Sequence, residues 1–289
     1  MSETRSARPL ARHLPALSQA DFASVVALVV FVILIFLFEW VFAPSFTQLT
    51  LILTGIIMSL VPAAIWLGFF YRRDRLEPEP KHMILQIFVL GGLVASAIGI
   101  PVLNNLFDVP NWLNATPVTK FFGGILVVGF LQEYLKYAVV RFSIFDSAEF
   151  DEPVDGVIYA TAAGVGYATM LNIYFVFESG GAELGLAAIR IVVTALAHAS
   201  FAGIMGYFIG QEKFLDKPLW WMPAGIAAAA TANGFFFYLR GELAQGSGNM
   251  VSGGANQWVG LLLAIVLTVG VTYQLTTAME KQVTAGEEV

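Results

Sequence analysis

The residues with chemical potential in this sequence lie where ionisable groups are expensive. The run "GFLQEYLKYAVVRF", residues 129–142, is otherwise apolar but holds Gln132, Glu133 and Lys136. An ionisable side chain at that depth in a bilayer costs about 2.5–3.5 kcal/mol on insertion scales. A mutual pair, a water-filled cavity or a chemical task must offset that cost. Glu133 and Lys136 are three residues apart, so on a helix they share a face and can pair, and Gln132 and Lys136, four apart, are also neighbours. An ion pair that only steadies a helix bundle is one reading. Lys136 could also snorkel to the interface, whereas Glu133, about 12 Å deep by helical rise, has too short a side chain. His198, in "TALAHASFAGIMGY", comes out within one helical turn of Glu133 in depth. A lone membrane histidine is often satisfied by a backbone carbonyl, but a histidine level with a buried carboxylate suggests proton transfer. Asn172 and Asn233 form a second layer, each about 9–10 Å from the outer face. Either could tie helices together or donate to a developing oxyanion.

The elements that must position these groups are membrane spans. Of 289 residues, 57% are hydrophobic and 12% charged, and the apolar residues form long blocks such as "FASVVALVVFVILIFLFEWVF", long enough to cross about 30 Å of hydrocarbon. The fold expected is all-α: a polytopic transmembrane bundle of eight spans, at about 22–43, 49–71, 83–105, 118–141, 154–178, 186–211, 217–240 and 256–279. The first block reads as a retained span rather than a removed leader. Residues 22–279 form a single membrane domain between an N-terminal tail, 1–21, and a C-terminal tail, 280–289. Both tails are expected in the cytoplasm, because that orientation puts eleven basic residues inside and only Lys120, Arg190 and Arg240 outside, with Lys136 inside a span.

"APSFT" between the first two spans reads as a tight helical hairpin, "YRRDRLEPEPKH" as a basic loop holding topology, and "GELAQGSGNMVSGGANQ" as a flexible outer loop. Gly164, Gly166, Gly203 and Gly206 are expected to let helices approach closely. Pro101 is the main interruption within a span. The absence of cysteine excludes disulfides and thiolate chemistry. One histidine and one carboxylate are too few ligands for a zinc site, so no metal or other cofactor is expected, and nothing points to nucleic acid.

"YRRDRLEPEP", "QEYLK", "DGVIYATAAGVGYATMLN" and "HASFAGIMGY" follow one another in this chain. In that order they resemble the PrsW-type intramembrane proteases, relatives of the CAAX-processing and bacteriocin-immunity membrane proteases. The resemblance covers roughly residues 60–240. Its pattern is Glu-Glu-x-x-Lys on one helix, Glu-Asn at the end of a Gly-rich helix and a histidine on the next. Glu133, Lys136, Asn172 and His198 match it, while Gln132 and Leu171 stand where the pattern has glutamate. The resemblance implies that Glu133 activates water with Lys136 keeping it ionised, that His198 shares the proton or stabilises the oxyanion, and that Asn172 donates a hydrogen bond; Asn233, which is no part of that pattern, is a candidate accessory from its depth alone.

The function expected is therefore an intramembrane endopeptidase in a bacterial cytoplasmic membrane, cleaving a single-pass membrane protein. Gln132 and Leu171 motivate the alternative of a degenerate protease that binds a transmembrane partner without cutting it. A proton-linked transporter using Glu133, Lys136 and His198 is the third reading, with few paired helix interruptions to support it.

Overall fold

The computed structural model describes residues 8–73, 79–181, 183–246 and 254–287. Among them the protein is helical throughout, with no strand. The helices are α1 (Arg8–Phe42), α2 (Gln48–Arg73), α3 (Lys81–Val94), α4 (Val109–Trp112), α5 (Pro117–Gly123), α6 (Phe130–Ser143), α7 (Pro153–Glu178), α8 (Leu184–Phe214), α9 (Trp221–Gly246) and α10 (Gly254–Glu287). Among the described residues, seven stretches are long and apolar enough to cross a membrane: Phe22–Phe42, Gln48–Gly68, Lys81–Leu106, Pro117–Ser143, Pro153–Glu178, Leu184–Phe214 and Gln257–Met279. The eighth span expected from the sequence falls in α9. That helix is long enough, but alanine-rich and punctuated by Pro223, Thr231 and Asn233, and it does not reach the same apolarity.

α7 and α8 form the centre of the bundle, and α8 is the most deeply packed of the seven. Their glycines explain how closely they lie. A Cβ on Gly164 would stand 2.6 Å from the His198 carbonyl oxygen, and one on Gly206 would overlap the Gly156 carbonyl. Gly166 does the same for α3, where a Cβ would enter the Phe88 carbonyl oxygen. Gly203 differs: nothing lies within 3.4 Å of its would-be Cβ, so it is not required for approach. Apolar side chains outside this centre, such as Leu34 and Leu37 on α1 and Leu262 and Val266 on α10, face outward, as a lipid-facing surface requires.

Two long spans are not regular α-helices. After α3 the chain passes through π-helical turns at Ala95–Gly99 and Val102–Leu106, on either side of Pro101. Proline lacks an N–H and displaces the carbonyl four residues before it, and wider turns absorb both defects. A third π-helical segment, Gly124–Gly129, joins α5 to α6 immediately before Gln132 and Glu133. α5 itself starts at a capping box, with Thr116 and Thr119 satisfying each other's backbone N–H groups and Pro117 next in line.

The "APSFT" hairpin is tight, and Ala43 turns the chain with φ 39°. In "YRRDRLEPEPKH", residues 74–78 lie outside the described residues, but Glu79 is buried and accepts a hydrogen bond from the Tyr159 hydroxyl on α7. This end of the loop is a packed structural element rather than only a carrier of charge. The Gly- and Ser-rich stretch is shorter than expected, because α9 continues to Gly246 and α10 begins at Gly254. Residues 247–253, the remainder of that loop, lie outside the described residues.

Candidate functional site

α6 delivers Gln132, Glu133 and Lys136 into the bundle interior rather than towards lipid. Lys136 Nζ donates to Glu133 Oε1 at 2.6 Å, one turn away on the same helix. It does not snorkel to an interface, since its side chain is completely buried. On the opposite side, Lys136 Nζ lies 3.3 Å from His198 Nδ1 of α8. The lysine thus bridges the carboxylate and the imidazole that the sequence placed at one depth.

Asn233 of α9 closes the arrangement. Its Nδ2 donates to Glu133 Oε1 at 2.7 Å and to Gln132 Oε1 at 3.0 Å. This differs from the layer outside the glutamate expected for it, and the helix length explains the difference. α9 ends at Gly246 rather than near 240, which puts Asn233 about two turns further from the helix end than reckoned. Glycines bring α9 close enough for the contact: a Cβ on Gly129 would lie 2.5 Å from the Ala230 carbonyl oxygen, and one on Gly234 2.5 Å from Ile125 N. α9 therefore packs backbone to backbone on the π-helical turn that precedes Glu133.

Asn172 does not join this network. Its Nδ2 donates to the Ile191 carbonyl at 3.1 Å, tying α7 to α8. Leu171, its neighbour, packs partly buried against Ala95, Leu135 and Tyr167.

An aromatic wall surrounds the buried ammonium. His198 has ring neighbours Tyr167, Phe201 and Phe237 at 5.7, 5.8 and 5.9 Å, and Lys136 Nζ lies 5.8 Å from the ring centroids of Tyr167 and Phe201. Those faces stabilise a cation by their quadrupoles. Tyr167 is the residue that sequence reasoning passed over. It is fully buried, and its signal was a phenol in the middle of a Gly-rich span, where a polar tip needs a partner. Four buried polar atoms here have no hydrogen-bond partner among the described residues: Glu133 Oε2, His198 Nε2, Asn233 Oδ1 and Tyr167 Oη. Such atoms are rare in protein interiors and concentrate where a site takes up water or substrate.

A cavity of about 900 Å3 runs to this locus from the end of the bundle where α8 begins. Lys120, Glu178, Arg190 and Arg240 line it near the helix ends, and Gln132, Leu171, Asn172, His198 and Asn233 line it deeper. Glu133 is not among the lining residues and lies behind Asn233, with no surface exposed.

The residues present do not fit a catalytic metal. Such sites draw about three ligands from His, Asp, Glu and Cys, and no group of three or more occurs among the described residues. Here two such ligands, Glu133 and His198, face each other across an ammonium 2.6 Å from one and 3.3 Å from the other. The Lys136 amine already fills the space between them and bonds to both.

The sequence profile described as "PrsW family intramembrane metalloprotease" matches residues 79–272, which include every residue of this site. Among curated proteins, Protease PrsW of Geobacillus kaustophilus is 32% identical over 158 residues, 55% of this chain and 66% of that protein. Protease PrsW of Bacillus subtilis is 29% identical over 182 residues, covering 62% and 79% respectively. Protease PrsW of Shouchella clausii is 28% identical over 186 residues, covering 64% and 82%. No solved structure matches.

Proposed function

This chain belongs to the PrsW family, a family of membrane proteases, and we propose on that premise that it hydrolyses a peptide bond of a single-pass membrane protein within the bilayer. The observation that carries the reading is the Glu133–Lys136–His198–Asn233 network, of which His198 and Asn233 line the inner end of a cavity large enough for a peptide and Glu133 lies directly behind Asn233. Glu133 Oε1 is occupied by two donors, so the unpartnered Oε2 is the atom that takes a proton from water. The hydroxide formed adds to the scissile carbonyl carbon. When the C–N bond breaks, the proton held on Glu133 passes to the leaving amine, and the carboxylate is restored.

Lys136 sets the role of His198. An ammonium has three donors and no acceptor, so His198 Nδ1 accepts from it and the ring proton resides on Nε2. Nε2 has no hydrogen-bond partner among the described residues, and His198 lines the cavity's inner end. It is placed to donate to the tetrahedral oxyanion, and of the two roles open to the histidine this geometry favours donor over base. Asn233 orients Glu133, and Asn172 fixes α7 against α8. The distribution of basic residues favours a cavity opening to the outer face of a bacterial cytoplasmic membrane, with both termini inside.

A second reading, a partner-binding protein that no longer cuts, is favoured by one observation. Glu133 does not line the cavity, and the Gln132 amide that does is bonded to Asn233. Cleavage of single-pass substrates in nanodiscs by this protein, Gln132→Glu and Glu133→Gln decides between them. The hydrolytic reading expects turnover by the unaltered protein that is lost in Glu133→Gln. Turnover confined to Gln132→Glu, or absent from all three while a transmembrane partner still co-purifies, would move the assignment to binding.

A further inference from the structure

Arg190 and Arg240 line the cavity above the site, on α8 and α9 respectively, and both are half-buried. Neither has a carboxylate within ion-pair distance among the described residues. Arg190 stacks its guanidinium 3.5 Å over the Phe175 ring, and Arg240 donates to the Gln257 amide oxygen at 3.2 Å. Gly260 leaves room for the Arg240 side chain, whose Nε would be 3.1 Å from a Cβ there. The other charges on the cavity wall are accounted for: Lys120 is paired with Glu242 at 2.9 Å, and Glu178 is exposed on the rim beside Tyr174. Among the described residues the two guanidiniums are thus held in place by uncharged partners, and each carries more N–H donors than those contacts use.

Their position along the helices gives them a register. Arg190 precedes His198 by eight residues and Arg240 follows Asn233 by seven, which puts both about 10–12 Å above the site, Arg240 on nearly the same helix face as Asn233 and Arg190 about 80° round from His198, and all four line the same cavity. An extended peptide covers about 3.3–3.6 Å per residue, so this distance is three to four residues. We propose that Arg190 and Arg240 form an anion subsite that binds an Asp or Glu carboxylate of the substrate, three or four residues from the scissile bond on the side where α8 begins. This rests on the hydrolytic reading for the position of the scissile bond, but the anion subsite itself does not. Bidentate guanidinium–carboxylate bonds supply the geometric selectivity, and a neutral Asn at that substrate position leaves both arginines unpaired.

The test uses model substrates with one transmembrane segment and a single Asp moved through eight successive positions on that side, each compared with Asn, in phosphatidylcholine nanodiscs. For the unaltered protein, kcat/KM for Asp over Asn is expected to peak at the third or fourth position at tenfold or more. The ratio is expected to fall to near one in Arg190→Gln/Arg240→Gln, to recover in part in Arg190→Lys/Arg240→Lys, and to favour Lys over Asp in Arg240→Glu. A ratio near one at every position in the unaltered protein overturns the proposal while leaving hydrolysis intact. If no substrate is cut, the same peptides are titrated against Glu133→Gln by fluorescence anisotropy. An arginine-dependent Asp preference in binding keeps the subsite and places the failure in the hydrolytic reading, and equal affinities overturn it. Loss of the preference on replacing phosphatidylcholine with phosphatidylglycerol would identify lipid phosphate as the anion instead, and overturns it as well.

Discussion

Lys136 Nζ stands 2.6 Å from Glu133 Oε1, one turn along the same helix, and neither side chain exposes any surface. A buried pair of this kind is weak evidence of net stabilisation, because taking both charges out of water offsets most of their attraction. Breaking it is another matter, since the remaining charge is left buried with fewer partners. Lys136→Met, which leaves Glu133 only Asn233 as a donor, is expected to lower stability by about 3–5 kcal/mol. Glu133→Gln combined with Lys136→Met removes both charges and is expected to regain at least half of that loss. Chemical unfolding in detergent micelles measures both. Equal losses in the single and double variants would mean that the two groups are not energetically coupled.

Close approach of backbones gives a second expectation, and a control for it in the same sequence. Gly166 on α7 abuts the Phe88 carbonyl of α3, with no room for a methyl group, whereas Gly203 on α8 has only ordinary contacts around the same position. Gly166→Ala forces the helices apart and is expected to cost about 1–3 kcal/mol, the usual range for overpacking. Gly203→Ala fits, restricts the unfolded chain and is expected to be neutral or stabilising by up to about 1 kcal/mol. Midpoints of thermal unfolding for the two variants should move in opposite directions or differ by several degrees. A Gly166→Ala protein as stable as Gly203→Ala would contradict the packing shown.

These glycines also mark how far the sequence could be read. Helix type and approximate extent follow from hydropathy, because lipid leaves the backbone no other way to satisfy its hydrogen bonds. The Glu133–Lys136 contact follows from a spacing of three, and the nearness of His198 from depth alone. Asn233 was harder. Its distance from Glu133 depends on where α9 ends and on glycines at 129 and 234 letting two backbones touch, and neither is set by periodicity. Gly203 and Gly206 look alike in the sequence, yet only Gly206 faces a carbonyl of α7. The π-helical turns were invisible except at Pro101, because a widened turn leaves no mark in composition. Tyr167 and Glu79 escaped notice for a different reason. Each has meaning only through a residue far away in the chain, His198 for one and Tyr159 for the other.

Glu79 therefore supplies the last expectation. It is the first described residue after position 73, it is buried, and the Tyr159 hydroxyl donates to its carboxylate across 80 residues of sequence. On α7, Asp155 completes this end of the bundle by accepting from the backbone N–H groups of Asp151 and Glu152, at 2.9 and 2.7 Å. The contact ties the start of α3 to the start of α7, and α3 is also the helix that Gly166 holds closely. Tyr159→Phe removes one donor to a buried carboxylate with little change in packing, and is expected to cost about 1.5–3 kcal/mol. Because Glu79 and Tyr159 share the bond, Glu79→Gln combined with Tyr159→Phe should lose less than the sum of the two single changes. Unfolding free energies of the three variants in detergent test this: a strictly additive double variant would mean that the tyrosine stabilises α7 without Glu79, and that the loop is not held at this point.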